Sequence, residues 1–162
     1  VCSSDLVFND VLARYEINRA KVNAFDGSGL SHENRISTET LAQVLLKMIN
    51  NPKFAPAING LPVGGISGTL QRRFINSAPQ AVGLVHAKTG SISGVVSLAG
   101  YIESGPHKYV FAIIADRIGR NYYAESAARA KIDKLLGKIA YPLEIATAPE
   151  ITPTPSPETI TS

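Results

Sequence analysis

The sequence predicts an α+β fold, an antiparallel sheet packed between helices, and three observations support it. Two stretches, 38–49 and 122–141, repeat apolar residues at helical spacing. Three apolar runs between residues 83 and 116 are separated by turns of a few residues. Such turns are too short for a crossover, so the strands should pair antiparallel. The last run, YVFAIIAD at 109–116, is apolar almost throughout and does not alternate. That pattern predicts burial on both faces, and hence a central strand covered by helices.

Val7 to about Tyr15 reads as a short helix with Val7, Val11, Leu12 and Tyr15 on one face. The six residues before it, VCSSDL, match the translated end of a common sequencing adapter. Val1–Leu6 are therefore expected to be foreign; the alternative is a genuine helix start capped by Ser3 or Ser4. Residues 16–36 read as loop, with a short strand near Val22–Phe25. The 38–49 helix places Leu41, Val44, Leu45, Met48 and Ile49 on one side. Ser37 caps its start, and Asn50-Asn51-Pro52 ends it. A glycine-rich segment leads into a short helix over Gly68–Phe74, capped by the hydroxyls of Ser67 and Thr69, with Arg72 and Arg73 on a solvated face. The strands are placed at Gly83–Thr89, Gly94–Glu103 and Tyr109–Asp116. The last helix, Tyr122–Tyr141, buries Ala128, Ile132, Leu135, Leu136 and Ile139 and stops at Pro142. Residues 146–162, rich in Pro, Thr and Ser, lack a core pattern and read as a disordered tail. Three strands are few for a sheet with a two-sided centre, so further strands are expected upstream. The folded part is accordingly assigned to residues 7–145, as the C-terminal portion of a larger domain.

Composition narrows the function. The 162 residues, 44% of them hydrophobic, suffice for one domain or part of one. Residues 142–162 hold three acids and no Lys or Arg, so the rest is more basic than the +3 total. No basic run interleaved with aromatics points to nucleic acid. A single cysteine, Cys2, excludes an internal disulfide, and His32, His86 and His107 have no metal-ligand spacing. No apolar run reaches transmembrane length. No cofactor is expected.

Two stretches carry chemistry. KTGS, residues 88–91, ends the first strand. Lys88 offers a positive charge for a carboxylate, and Thr89 a hydroxyl beside it. Gly90 removes side-chain bulk so that a peptide can lie against the strand. The N–H of Ser91 can serve as an oxyanion donor. The second stretch, DGSGLS at 26–31, packs glycines and hydroxyls into one loop. Asp26 there is expected to structure the loop through an Asx-type turn. His86 shares a strand face with Lys88, but no Ser or carboxylate is placed to form a triad with it, so a structural or solvent role is expected.

The blocks DGSGLSHENRIS, LPVGGISGTLQRRF and VHAKTGSISGVVSLAGYI, in this order and spacing, resemble the class C low-molecular-mass penicillin-binding proteins. These are D-alanyl-D-alanine carboxypeptidases/endopeptidases, and the resemblance covers about residues 22–140. It implies a serine β-lactamase/transpeptidase fold and an acyl-enzyme mechanism on peptidoglycan stem peptides, with β-lactams as inhibitors and an extracytoplasmic location. By position it gives Lys88 and Thr89 carboxylate recognition and a proton network, and Ser91 an oxyanion-hole N–H. Gly90, Ile92 and Ser93 would line the pocket, with Ser28 and Leu30 on its opposite wall. His32 stands where many relatives carry Arg. The family's Ser-x-x-Lys and Ser-x-Asn elements occur nowhere in this sequence; in the family they precede the Asp-Gly-Ser-Gly-Leu-Ser loop. The expectation is therefore a C-terminal fragment of a serine-type carboxypeptidase. The alternatives are a non-catalytic peptidoglycan- or penicillin-binding module and, against the evidence of the DGSGLS block, a β-lactamase.

Overall fold

A computed structural model of the chain describes residues 3–140. Its centre is an antiparallel sheet in the order β1 (Val85–Ile92), β2 (Val95–Ser104), β3 (His107–Ala115). Both hairpins turn within two residues, which fixes the register: Val85 faces Ile102, and Ser104 faces His107. The strand pattern predicted antiparallel pairing, and the sheet has it.

One face of the sheet carries the core. Val85 and Ala87 of β1 and Val96, Leu98 and Ile102 of β2 are fully buried there, with Phe111, Ile113 and Ala115 of β3 packed beside them. Helix α4 (Tyr122–Gly137) covers them with Ile132 and Leu136. Its start is fixed by Asn121, whose side chain accepts from the Ala124 N–H at 2.9 Å. Leu70, Phe74, Ala78 and Ala81 close the same core from the segment before β1. Helix α2 (Thr38–Ile49) lies against β2 and β3. None of its side chains joins that core, which assigns it to the other face. Ser37 caps α2 as expected, accepting from the Thr40 N–H at 3.1 Å.

Several expectations are corrected. Among the described residues β2, not β3, is the central strand, and Val110–Ala115 are only half-buried. An uninterrupted apolar run marks a strand suited to burial on both faces, but it does not set strand order. Helix α1 spans Ser3–Arg14, starting earlier than Val7. On its expected apolar face only Leu12 is buried, while Val7 and Val11 are exposed. Near residue 22 there is one isolated bridge, Asn23 with Arg35, in place of a strand. The Gly68–Phe74 helix reduces to a 3-10 turn, Gly68–Leu70. Ser67 does not cap it; its hydroxyl accepts from the Val63 N–H at 3.0 Å. The first strand starts at Val85 and runs on to Ile92, past the expected Thr89 end. A 3-10 turn, Pro52–Phe54, and a short helix, α3 (Ala55–Asn59), follow α2 where the sequence suggested only its end. Helix α4 ends at Gly137, and Leu135 and Ile139 of its expected apolar face are exposed. Tyr141, the 146–162 tail and Val1–Cys2 lie outside the described residues.

Candidate active site

Strand β1 is an edge strand among the described residues, and it organises the site. At its start the Gly64 N–H donates to Val85 O at 2.8 Å, and the Ala87 N–H donates to Pro62 O at 2.9 Å. Both groups point away from β2. In an antiparallel strand alternate residues direct both backbone groups to the same side. Thr89 and Ser91 therefore turn their N–H and C=O to this outer edge, beyond the point where Pro62 covers it. A peptide could pair there, with the Ser91 N–H directed to that edge as a donor.

The same alternation divides the side chains. Thr89 and Ser91 share the α4 face with Val85 and Ala87, whereas His86, Lys88, Gly90 and Ile92 point to the other face. Lys88 is exposed, and its ammonium donates to Thr89 O at 2.7 Å. Gly90 has a further reason to be glycine. A Cβ there would run into the hydroxyl oxygen of Ser97, its partner on β2. The missing side chain makes room inside the sheet, a constraint separate from the approach of a peptide at the edge.

On the α4 face a cavity of about 270 Å³ opens beside β1, lined by Thr69, Arg73, Thr89, Ser91 and Arg129 among others. The Thr89 hydroxyl donates to Thr69 Oγ1 at 3.0 Å. Arg129 Nη2 donates to Ser91 Oγ at 2.9 Å and to Glu125 Oε2 at 2.9 Å. Arg73, expected on a solvated face, instead pairs with Asp133 of α4, which is itself buried, and also donates to Arg129 O at 3.2 Å. Ser77 Oγ donates to Asp133 at 3.1 Å and completes that carboxylate's partners. A larger apolar groove of about 470 Å³ lies elsewhere, between the end of β3 and α4.

The structure thus gathers Thr89, Gly90 and Ser91 at one cavity, with Lys88 on the same strand but the opposite face. Ile92 is half-buried at the end of β1, and Ser93 is exposed in the hairpin turn. Ser28 and Leu30 sit on an exposed loop and do not line the cavity. Asp26 builds that loop: its carboxylate accepts from the N–H groups of Gly29 at 2.6 Å and Ser31 at 2.7 Å, and from Asn34 Nδ2 at 3.2 Å. Gly29, at φ 77°, takes the left-handed turn this closure needs. The Asn34 amide first, then the two backbone donors, hold the Asp26 carboxyl below its ordinary range. His86 stacks on Tyr101 with ring centroids 4.5 Å apart, the structural role expected of it. Arg129 and Glu125 were not singled out from the sequence, and Thr69 was expected only as a helix cap, whereas its hydroxyl meets that of Thr89. Only the i, i+4 spacing of Glu125 and Arg129 signals their pairing in the sequence. Among the described residues no group of three or more His, Cys, Asp or Glu could hold a metal ion, and no helix is long and apolar enough to cross a membrane.

Comparison with known proteins bears on the family and the fold. Residues 4–139 match the model of the D-Ala-D-Ala carboxypeptidase 3 (S13) family. The chain is 43% identical over 100 residues to penicillin-sensitive carboxypeptidase A of Dictyostelium discoideum, which covers 56% of this chain and 19% of that protein. It is 35% identical over 99 residues to carboxypeptidase DacB of Mycolicibacterium smegmatis, covering 58% of this chain and 22% of the relative. Its fold is similar to that of penicillin-binding protein 4 from Haemophilus influenzae, solved with a β-lactam. The TM-score is 0.72 at 27% identity, over 84% of this chain and 33% of that one. The chain therefore spans about a fifth of the length of these curated relatives.

Proposed function

Because the chain belongs to the D-Ala-D-Ala carboxypeptidase 3 (S13) family, we propose that it forms the C-terminal part of a serine-type D-Ala-D-Ala carboxypeptidase/endopeptidase. The full-length enzyme would cleave peptidoglycan stem peptides outside the cytoplasmic membrane, and β-lactams would acylate it. The observation that supports this most is the open outer edge of β1, with Lys88-Thr89-Gly90-Ser91 along it.

A stem peptide would pair with the outward backbone groups of Thr89 and Ser91. The Ser91 N–H would donate to the oxygen of the attacked carbonyl as negative charge develops on it. Lys88 brings a positive charge to this edge, for the carboxylate-bearing end of the peptide and for the proton network around the nucleophile. The hydroxyls of Thr89 and Ser91 face the cavity, where that carboxylate would be received. The serine that attacks and the lysine that takes its proton belong to the Ser-x-x-Lys element, which the full-length protein would supply upstream. The adduct formed by attack on the D-Ala-D-Ala carbonyl expels D-alanine and leaves an acyl-enzyme, which water hydrolyses. Ser28 and Leu30, on the 26–31 loop, would form the wall across from β1, and Ile92 and Ser93 would flank the donor peptide's side chain.

D-Alanine release from a D-Ala-D-Ala peptide by the full-length protein tests this. Lys88→Ala is expected to lower kcat/KM about a hundredfold, roughly the 3 kcal/mol of a charged hydrogen bond in a partly desolvated site. Ser28→Ala should cost less, about 1 kcal/mol, as a neutral hydrogen bond would. A folded Lys88→Ala enzyme within threefold of wild type would show that KTGS is only a strand end.

A further inference from the structure

We propose that Arg129, anchored by Glu125, presets the Ser91 hydroxyl to donate to a carboxylate in the cavity beside β1. The proposal rests on the carboxypeptidase function above and adds to it a positioning residue, on a helix that carries none of the family motifs.

A guanidinium has donors only, so in the 2.9 Å contact with Arg129 the Ser91 oxygen must accept. The Ser91 proton is then left for another acceptor. Without Arg129 that hydroxyl could rotate and present a lone pair to an incoming anion. Glu125 Oε2 holds the same Nη2 at 2.9 Å, one helical turn away, and only a fifth of its side chain is exposed. The guanidinium is thus fixed on the Ser91 side. The ion pair is close to neutral as a unit, so its contribution is direction more than net charge.

The cavity suits an anion in other respects. It is lined by two arginines and the hydroxyls of Thr69, Thr89 and Ser91, and no acidic side chain lines it. Arg73 is already committed to Asp133, which leaves Arg129 as the lining guanidinium in contact with a β1 hydroxyl. Lys88 lies across the strand, so the two cations bracket the edge from opposite faces.

Benzylpenicillin carries a free carboxylate and its methyl ester does not, so acylation by the pair isolates the carboxylate contact. In the full-length protein Arg129→Met should acylate about 30-fold more slowly with benzylpenicillin, the effect of losing one charge-assisted hydrogen bond. With the methyl ester it should stay within about twofold of wild type, and Arg129→Lys should recover much of the benzylpenicillin rate. Equal slowing with both compounds, or no slowing with benzylpenicillin, overturns the proposal. Should Arg129→Met fail to fold, Glu125→Gln gives the same comparison: about a fivefold loss confined to benzylpenicillin supports the proposal, and equal or absent losses overturn it. A wild-type protein that benzylpenicillin does not acylate would instead overturn the carboxypeptidase function itself, and this inference with it.

Discussion

His86 and Tyr101 face each other across β1 and β2 with their rings nearly parallel, 9° apart. Lys108 of β3 places its ammonium 4.3 Å from the Tyr101 ring on the same stack. Burial first, and the Lys108 charge as well, lower the His86 pKa below 6.5, against the opposing pull of Glu103 and a hydrogen bond to the Gly83 backbone. The unfolded chain therefore takes up the proton before the folded one does. Stability should fall as pH drops through 6.5 toward the lower folded value, and this loss should be complete below it. His86→Phe keeps the stack and removes the titration. The thermal midpoint of the full-length wild type should drop relative to the variant between pH 7.5 and 5.5; parallel curves would mean that His86 titrates normally. Asp26 works in the other direction. Its depressed carboxyl contributes to loop closure above 3.8, and the contribution is lost as pH falls through its folded value. The loop role of Asp26 was legible in the sequence because its partners lie within eight residues. His86 was legible only as a residue without a triad, since its partner Tyr101 is named by strand register, which the sequence leaves open until the hairpin turn is fixed.

Between elements, what the sequence made legible was local and periodic. The hairpins, the α2 cap and the segment of α4 followed from turn lengths, Ser37 and apolar spacing. Strand order did not, because the apolar run of β3 specifies two-sided burial without naming the neighbours. The Arg73–Asp133 pair was also hidden. Its partners are sixty residues apart, and QRRF reads like any exposed basic turn. In the fold Arg73 stitches the segment before β1 to α4, next to the cavity at Thr89 and Ser91. Breaking a buried pair leaves an uncompensated charge, so Asp133→Ala should cost about 3–5 kcal/mol in urea unfolding of the full-length protein. Replacing both partners by apolar residues of similar volume, Arg73→Met with Asp133→Leu, should recover most of that loss. A single-variant cost under about 1 kcal/mol would show that water reaches the pair and screens it.

At the scale of the whole molecule the two faces of the sheet are unequal. The α4 face has a closed core with Leu70, Leu98, Ile102 and Leu136 out of solvent, whereas every apolar residue of α2 is at best half-buried and Leu46 is exposed. The half-buried β3 and the apolar groove between its end and α4 have the composition of surfaces with further neighbours. Under the proposed function those neighbours belong to the larger part of the enzyme, as does the nucleophile. This division of labour has a direct consequence. Under that proposal the β1 edge, the cavity and the oxyanion N–H all lie in these 162 residues, but a binding edge cannot be acylated without a serine activated by a neighbouring lysine. The 162-residue chain alone is therefore expected to give no covalent band with fluorescent penicillin on a denaturing gel, while the full-length protein gives one. A band from the short chain that disappears after prior boiling, or in excess unlabelled penicillin, would place a nucleophile among the serines of this sequence and overturn the assignment of that role to an upstream Ser-x-x-Lys.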